Sequence, residues 1–320
     1  MTSALALYAR QTEVQALEAF CTKSAAPVGE TEEARCERAE RMIRGAIDAY
    51  QHFPAGVKPG IKIFAQGSYK NGTNITTDSD VDVAVCCTSS FFTDYSQAGA
   101  SGDAYFGNVA ATYTFQLFRA DVTQAIQNAF GASGATVGNK ALRIAGNSGR
   151  IGADVVPVFE FRQYQPNGQY LSGARFHTRD GKVVTNWPHH HHHFGIEKNK
   201  VTGYRYKKVV RILKTIRREL SGPAAKTPSF LIESMVWNAP DQCFNDGINY
   251  NAHSALSILL EPSLLDNTQA VLQWLFTQCN PAVMREVNMI KPLFSPEQAW
   301  TNVDANSFVY QAGQKLGCWT

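Results

Sequence analysis

Two apolar, β-branched runs are each broken by aspartate, and no other feature restricts the fold as tightly. "VDVAVCC" (81 to 87) carries Asp82, with Asp80 just ahead of it, and "IGADVVPVFEFRQY" (151 to 164) carries Asp154. Both runs read as buried strands bounded by turn residues. A carboxylate in such a strand is costly unless something compensates it, and a metal ion would do so. Residues i and i+2 of a strand share a face, so Asp80 and Asp82 project together. Three carboxylates on neighbouring strands can hold two Mg2+ ions about 3.5–4 Å apart, which activates one oxygen and stabilises the leaving one. Magnesium also favours oxygen ligands shared with substrate phosphates.

A third strand-like run, "IKIFAQ", precedes them and ends in Gly67-Ser68, thirteen residues before Asp80. Gly67 permits close backbone approach, and Ser68 can donate to a phosphate oxygen. These are the parts that nucleotidyl transfer needs. Taken alone, "DSDVD" reads equally well as a solvated loop holding Asp78, Asp80 and Asp82, with Asp154 paired to an arginine, because short acidic motifs recur by chance. The strand and Gly-Ser turn ahead of it favour the metal reading. The chain contains no G-x-x-x-x-G-K-[ST], so nothing supports a P-loop ATPase.

The remaining pattern is a mixed α/β half followed by a helical one. Helices are expected over 3–22, 30–52 and 112–130, a surface loop over 93–108, and an Asp-Gly hairpin around "TRDGKVV". From about residue 196 the character turns helical: 197–220, 228–238, 251–260, 264–278 and 296–314. An apolar fraction of 44% with 18% charged residues fits a water-soluble globular chain. No run reaches the ~18 apolar residues of a membrane span, and "MTSALALYARQTEVQ" lacks the basic n-region of a signal peptide. A cytoplasmic location with no membrane partner is therefore expected. Seven dispersed cysteines without a C-x-x-C point to reduced thiols rather than a disulfide framework or zinc site.

Net charge is only +3, but nine of the thirty Lys and Arg residues lie between Lys198 and Arg218, with no acid among them. Val209, Ile212, Leu213, Ile216 and Leu220 form an apolar stripe at helical spacing, and Lys207, Arg211, Lys214 and Arg218 a basic one. Such a face is commonly just solvated. Its imbalance also suits a triphosphate, and less well a nucleic acid, because the aromatic interleaving of a single-strand platform is missing. Nucleic acid is not required by the sequence.

Gly67-Ser68, Asp80-Val81-Asp82 and the later Asp154 together resemble the polymerase-β-like nucleotidyltransferase superfamily. "GIEKNKVTGYRYKKVVRILKTIRREL" followed by "PSFLIESMVWNAP" narrows this to the bacterial relatives of cyclic GMP-AMP synthase and oligoadenylate synthase, the CD-NTases. The resemblance covers residues 60 to 240. It implies an α+β, two-lobed fold: a catalytic core with N-terminal helices over 1–190, and a helical lobe over 191–320. It further implies condensation of NTPs into a cyclic di- or oligonucleotide second messenger for antiphage defence, with release of pyrophosphate and a downstream effector reached through the diffusible product. Asp80, Asp82 and Asp154 would then be the catalytic acids and the ligands of two Mg2+ ions, with Mn2+ as a substitute. Gln66, Gly67, Ser68, Lys198, Lys214 and Ser229 would bind the nucleotide, Ser229 from a helix start marked by Thr227-Pro228. A second reading is nucleotidyl transfer to a separate acceptor, such as RNA, a small molecule or a protein. A third is a catalytically silent binding module, against which the intact acid triad stands.

"WPHHHHHFGIEKN" leaves three readings: a transition-metal chelator, an introduced tag, or a polar loop. In the resembling family a proline is followed three residues on by histidine, then Asn-Gly and Lys-Asn. Pro188, His191, Gly195, Lys198 and Asn199 match that pattern. Phe194 replaces the asparagine, a departure that bears on base preference.

Overall fold

A computed structural model describes residues 4–27, 30–75, 80–99, 102–147, 152–246 and 262–319, leaving aside the side chains of 4–9, 30–33 and 35. The helix expected at 251–260, and Asp78, lie outside the described residues. The chain divides into two units. Val28–Asn71 with Thr76–His189 form the first, and Met1–Pro27, Gly72–Ile75 and His190–Thr320 form the second. The first helix, α1 (Ala4–Ala25), thus groups with the helical unit and not with the sheet, because Cys21 and Ala25 are buried in the helical core.

Among the described residues, the sheet unit is a seven-stranded mixed sheet with three α-helices. In chain order it contains α2 (Glu30–Ala49), β1 (Ile61–Gln66), α3 (Gly67–Asn71), β2 (Val81–Asp94), α4 (Phe115–Phe130), β3 (Ala135–Val137), β4 (Leu142–Ile144), β5 (Ala153–Tyr164), β6 (Tyr170–His177) and β7 (Val183–Asn186). The path β1-β2-β5-β4-β3 is extended by β6, which pairs with β5 and β7. β2 and β5 run parallel and form the centre, and every other pair is antiparallel. Val81, Val83, Val85 and Cys87 alternate onto one face of β2 and are almost completely buried. They pack with Ile43 and Ile47 of α2 and with Phe118, Val122 and Ile126 of α4. Each such aliphatic burial contributes about 1.5–3 kcal/mol. α4 starts where Thr114 accepts a hydrogen bond from the Leu117 amide at 3.3 Å. The loop expected from residue 93 starts two residues later, because β2 continues past a register shift after Cys87. A mutual cluster of the Tyr95, Phe106 and Tyr164 rings holds the turn that follows.

Among the described residues, the helical unit comprises α1, α5 (Pro188–Val201) from His190 onward, α6 (Tyr206–Arg217), α7 (Ser229–Asn238), α8 (Asp241–Asn245), α9 (Leu264–Thr277) and α10 (Asn302–Lys315). Val209, Ile212, Leu213 and Ile216, the apolar stripe of α6, have no exposed surface. They meet Leu231, Met235, Val271 and Phe308 in the core of this unit. The helix expected over 197–220 is two helices. Gly203 and Tyr204 both take left-handed φ values, 56° and 63°, and the Tyr204 amide turns back to the Asn199 carbonyl at 2.7 Å. The 3.6-residue period continues across the break, which is why periodicity alone merges the two.

The histidine run is helical rather than a polar loop: all five residues lie in α5. α10 begins at a Thr301/Asp304 capping box, six residues after the expected start. At the end of the chain the Trp319 indole donates to the Tyr310 carbonyl, stacks on Phe276, and covers Gly313 so closely that a side chain there would collide with the ring. All seven cysteines are free thiols. Among the described residues no helix is long and apolar enough to cross a membrane.

Candidate active site

β2 and β5 bring two of the acids together. In the parallel register Asp82 lies opposite Asp154, and on the other side of β2 it lies opposite Gln66, the last residue of β1. The chain then turns at Gly67 with φ +69°, and a Cβ there would collide with Oδ2 of Asp82. Only glycine satisfies both demands. Asp80 stands one residue before β2, where the Val81 amide donates to the Gly152 carbonyl at 2.9 Å. Gly152 gives Asp80 the same clearance, since a Cβ there would overlap its Oδ1. Two glycines therefore open space around two carboxylates. Ser68 follows in the first turn of α3, half-buried.

Electrostatics mark the cluster as short of positive charge. Burial, followed by Asp154 and Asp80, raises the Asp82 carboxyl to about 6. Asp154 is raised as well, by burial first and by Asp80 second, with Arg143 opposing. Arg143, across from Asp154 on β4, reaches Asp80 at 3.0 Å. It is largely exposed, so this pair compensates little. Among the described residues no three His, Cys, Asp or Glu side chains converge as a ready-made metal cage. Asp80 is instead turned toward Arg143. The donor set fits a divalent cation all the same: hard carboxylate oxygens in mutual repulsion beside glycine-cleared space, where a bound ion would supply the missing charge.

Two of the cations expected at the triphosphate are committed elsewhere. Lys214 is 2% exposed, and its ammonium binds the Glu233 carboxylate together with the carbonyl and hydroxyl of Thr73, at 3.1 and 3.2 Å. The Lys214 ammonium is thus engaged by an acid and a threonine of its own unit. Lys198 donates to Asp241 at 2.5 Å and to the Ala239 carbonyl at 2.6 Å, with little exposed surface. The basic stripe is therefore solvated only in part: Lys214 is buried, Lys207 is half-buried and Arg218 is exposed. Arg211 is also buried, donating to the carbonyls of Ala25 and Gly72.

Ser229 does open α7 behind Pro228, and its hydroxyl accepts a hydrogen bond from Arg217 at 2.9 Å. Sequence reasoning missed Arg217 as a companion of that serine. It also missed Glu233, the acid that neutralises Lys214. The available signal was Glu233 itself, an acid in an otherwise apolar helix four residues after Ser229. Of the five histidines, His191 alone is buried, with Nε2 3.0 Å from Glu233, and it is the one that the motif match singles out.

Comparison with known proteins identifies the family. Residues 193–317 match the model of the cGAS/DncV-like nucleotidyltransferase C-terminal helical domain. The chain is 34% identical over 292 residues to a cyclic dipyrimidine nucleotide synthase, CdnE, of Legionella pneumophila, covering 89% of this chain and 93% of that protein. It is 32% identical over 301 residues to a cyclic dipurine nucleotide synthase of Elizabethkingia meningoseptica, covering 91% and 95%. The solved structure of the Rhodothermus marinus CdnE c-UMP-AMP synthase with Apcpp and Upnpp superposes with a TM-score of 0.79 at 29% identity, covering 94% of this chain and 97% of that one. The α+β fold with a helical C-terminal domain is that of a nucleotidyltransferase. The chain belongs to the bacterial cGAS/DncV-like nucleotidyltransferases, the CD-NTases, and is an enzyme of that family.

Proposed function

We propose that the protein condenses NTPs into a cyclic di- or oligonucleotide second messenger, releasing pyrophosphate, in a reaction that depends on two Mg2+ ions, for which Mn2+ can substitute. The observation that carries this reading is the cross-strand pair Asp82–Asp154, with Gly67 turned against Asp82. Similarity to synthases of cyclic dipyrimidine and cyclic dipurine nucleotides supports the cyclic product.

Asp80, Asp82 and Asp154 would hold the metal, which supplies charge neutralisation on the phosphates and acidifies a ribose hydroxyl. Gly67 lets the backbone approach a phosphate, and the Ser68 hydroxyl donates to it, with Gln66 beside them at the end of β1. In the helical unit, Ser229 is proposed for the triphosphate, with Arg217, which donates to its hydroxyl, beside it. Asp154, the less crowded acid, is suited to receive the proton of the attacking hydroxyl, while the fixed carboxylates orient that hydroxyl toward the α-phosphorus. Antiphage signalling through an effector that senses the product, and a cytoplasmic location, complete the proposal.

The test incubates the protein with Mg2+ and four NTPs, each labelled in turn, followed by phosphatase treatment and mass spectrometry. A phosphatase-resistant product, absent for Asp82→Asn, is the expected result and names the bases. Labelled product that forms only with an added acceptor would replace this reading by acceptor transfer.

A further inference from the structure

The described segment between the Gly67-Ser68 turn and Asp80 carries the sequence Gly72-Thr73-Asn74-Ile75. It belongs to the helical unit, although the residues on either side of it belong to the sheet unit. Its hold there is polar. Arg211 donates to the Gly72 carbonyl at 2.6 Å, and Lys214 donates to the Thr73 carbonyl. The Thr73 hydroxyl donates to Oε1 of Glu233, and His191 meets the other carboxylate oxygen at 3.0 Å. Thr73, Lys214, Glu233 and His191 are each more than nine-tenths buried.

Such a cluster is a poor way of simply gluing helices together. Desolvating an ion pair costs about as much as the pair returns, and apolar side chains of similar volume commonly serve as well or better. Apolar side chains could not hold the main-chain carbonyls of a Gly-Thr-Asn stretch, which offers little apolar surface of its own. What the cluster adds over an apolar filling is a grip on that backbone.

We propose that Glu233, oriented by Lys214 and His191, is a positioning residue: by clamping Thr73 it fixes Gly72–Ile75, the stretch that follows the Gly67-Ser68 turn on the way to the aspartates proposed as metal ligands. The inference rests on the proposed nucleotidyl-transfer reading of those aspartates. It assigns to Lys214 an anchoring role in place of the phosphate contact that its position in a basic stripe suggests.

The test compares wild type with Thr73→Val, which removes the hydroxyl at nearly constant volume, and Thr73→Ser, which keeps it. Amide hydrogen exchange is followed over Gly67–Ile75 and Asp80–Val85, alongside kcat and KM for NTPs. Exchange over Gly67–Ile75 in Thr73→Val is expected to accelerate by about tenfold or more, as for a local opening made easier. A misplaced catalytic group costs on the order of a hundredfold, so kcat should fall by about ten- to a hundredfold with KM within about twofold. Thr73→Ser should restore both. Unchanged exchange in Thr73→Val overturns the clamp whatever the activity. Loosened exchange with wild-type kcat overturns the positioning role. A wild-type protein that makes no nucleotide product sinks the functional reading instead, and the exchange data then still decide whether the clamp exists.

Discussion

Asp82 on β2 and Asp154 on β5 are direct neighbours in the parallel register at the centre of the sheet, so two like charges are held together by the backbone itself. The fold sets this repulsion, and burial adds to it. The folded carboxyl of Asp82 titrates at about 6 against an ordinary 3.8. Below pH ~4 it is protonated in both folded and unfolded chains. As pH rises toward 6 the unfolded chain ionises first, so this group lowers stability across that window and keeps it lowered above. Asp82→Asn should therefore melt higher than wild type at pH 7–8, by on the order of 1–2 kcal/mol, with the gain vanishing near pH 4. It should also abolish product formation. Thermal melts across pH check the sign, and added Mg2+ should raise the wild-type midpoint but not that of the variant.

Arg143 is the cation that opposes the rise at Asp154. Arg143→Met should push the Asp154 carboxyl further up, moving the acid limb of the kcat/KM profile to higher pH by up to about one unit. Because Arg143 is largely exposed, the melting temperature should barely move, in keeping with less than about 1 kcal/mol for such a pair. A pH–rate profile beside a thermal melt separates the two effects.

Gly67→Ala tests the packing of the turn against Asp82. The left-handed φ costs a non-glycine residue about 1–2 kcal/mol, and the new methyl collides with Oδ2. Activity should fall by about a hundredfold, as expected for a displaced catalytic group. Gly181→Ala also has a positive φ, but its Cβ would meet open space. It should show the stability cost without the loss of activity.

The placement of Asp82 and Asp154 on strands, and of Gly67 at a turn, was legible because its signal is local: two aspartates inside apolar runs, and a glycine where a strand must turn. The sheet and most helix spans followed from periodicity for the same reason. What the sequence did not show has a different cause. Whether Lys214 and Lys198 face solvent or are buried depends on Glu233 and Asp241, nineteen and forty-three residues further along, and no window of helical period contains those partners. A basic stripe looks the same whether it binds phosphate or neutralises an acid from another helix. Gly203 was a visible stop signal, but it was outweighed by an apolar pattern that resumes in phase across the break.

The Lys214–Glu233 pair gives a further prediction. Lys214→Met leaves Glu233 charged and buried without its main partner, which should cost about 3–5 kcal/mol. The double variant Lys214→Met/Glu233→Leu removes both charges and should be destabilised by clearly less than the sum of the two single changes. Urea unfolding of the four proteins measures the difference.

The threading of the chain decides how this protein can be taken apart. The matched C-terminal domain spans 193–317, yet the unit it belongs to also includes Met1–Pro27 and Gly72–Ile75. A fragment beginning at residue 190 would lack the α1 turn that buries Cys21 and Ala25, and it would leave Lys214 and Arg211 without the Thr73, Gly72 and Ala25 carbonyls they bind. Expressed alone, such a fragment should be insoluble or only partly folded. Recovering the helical half as a separate piece would require rejoining three distant stretches of the gene.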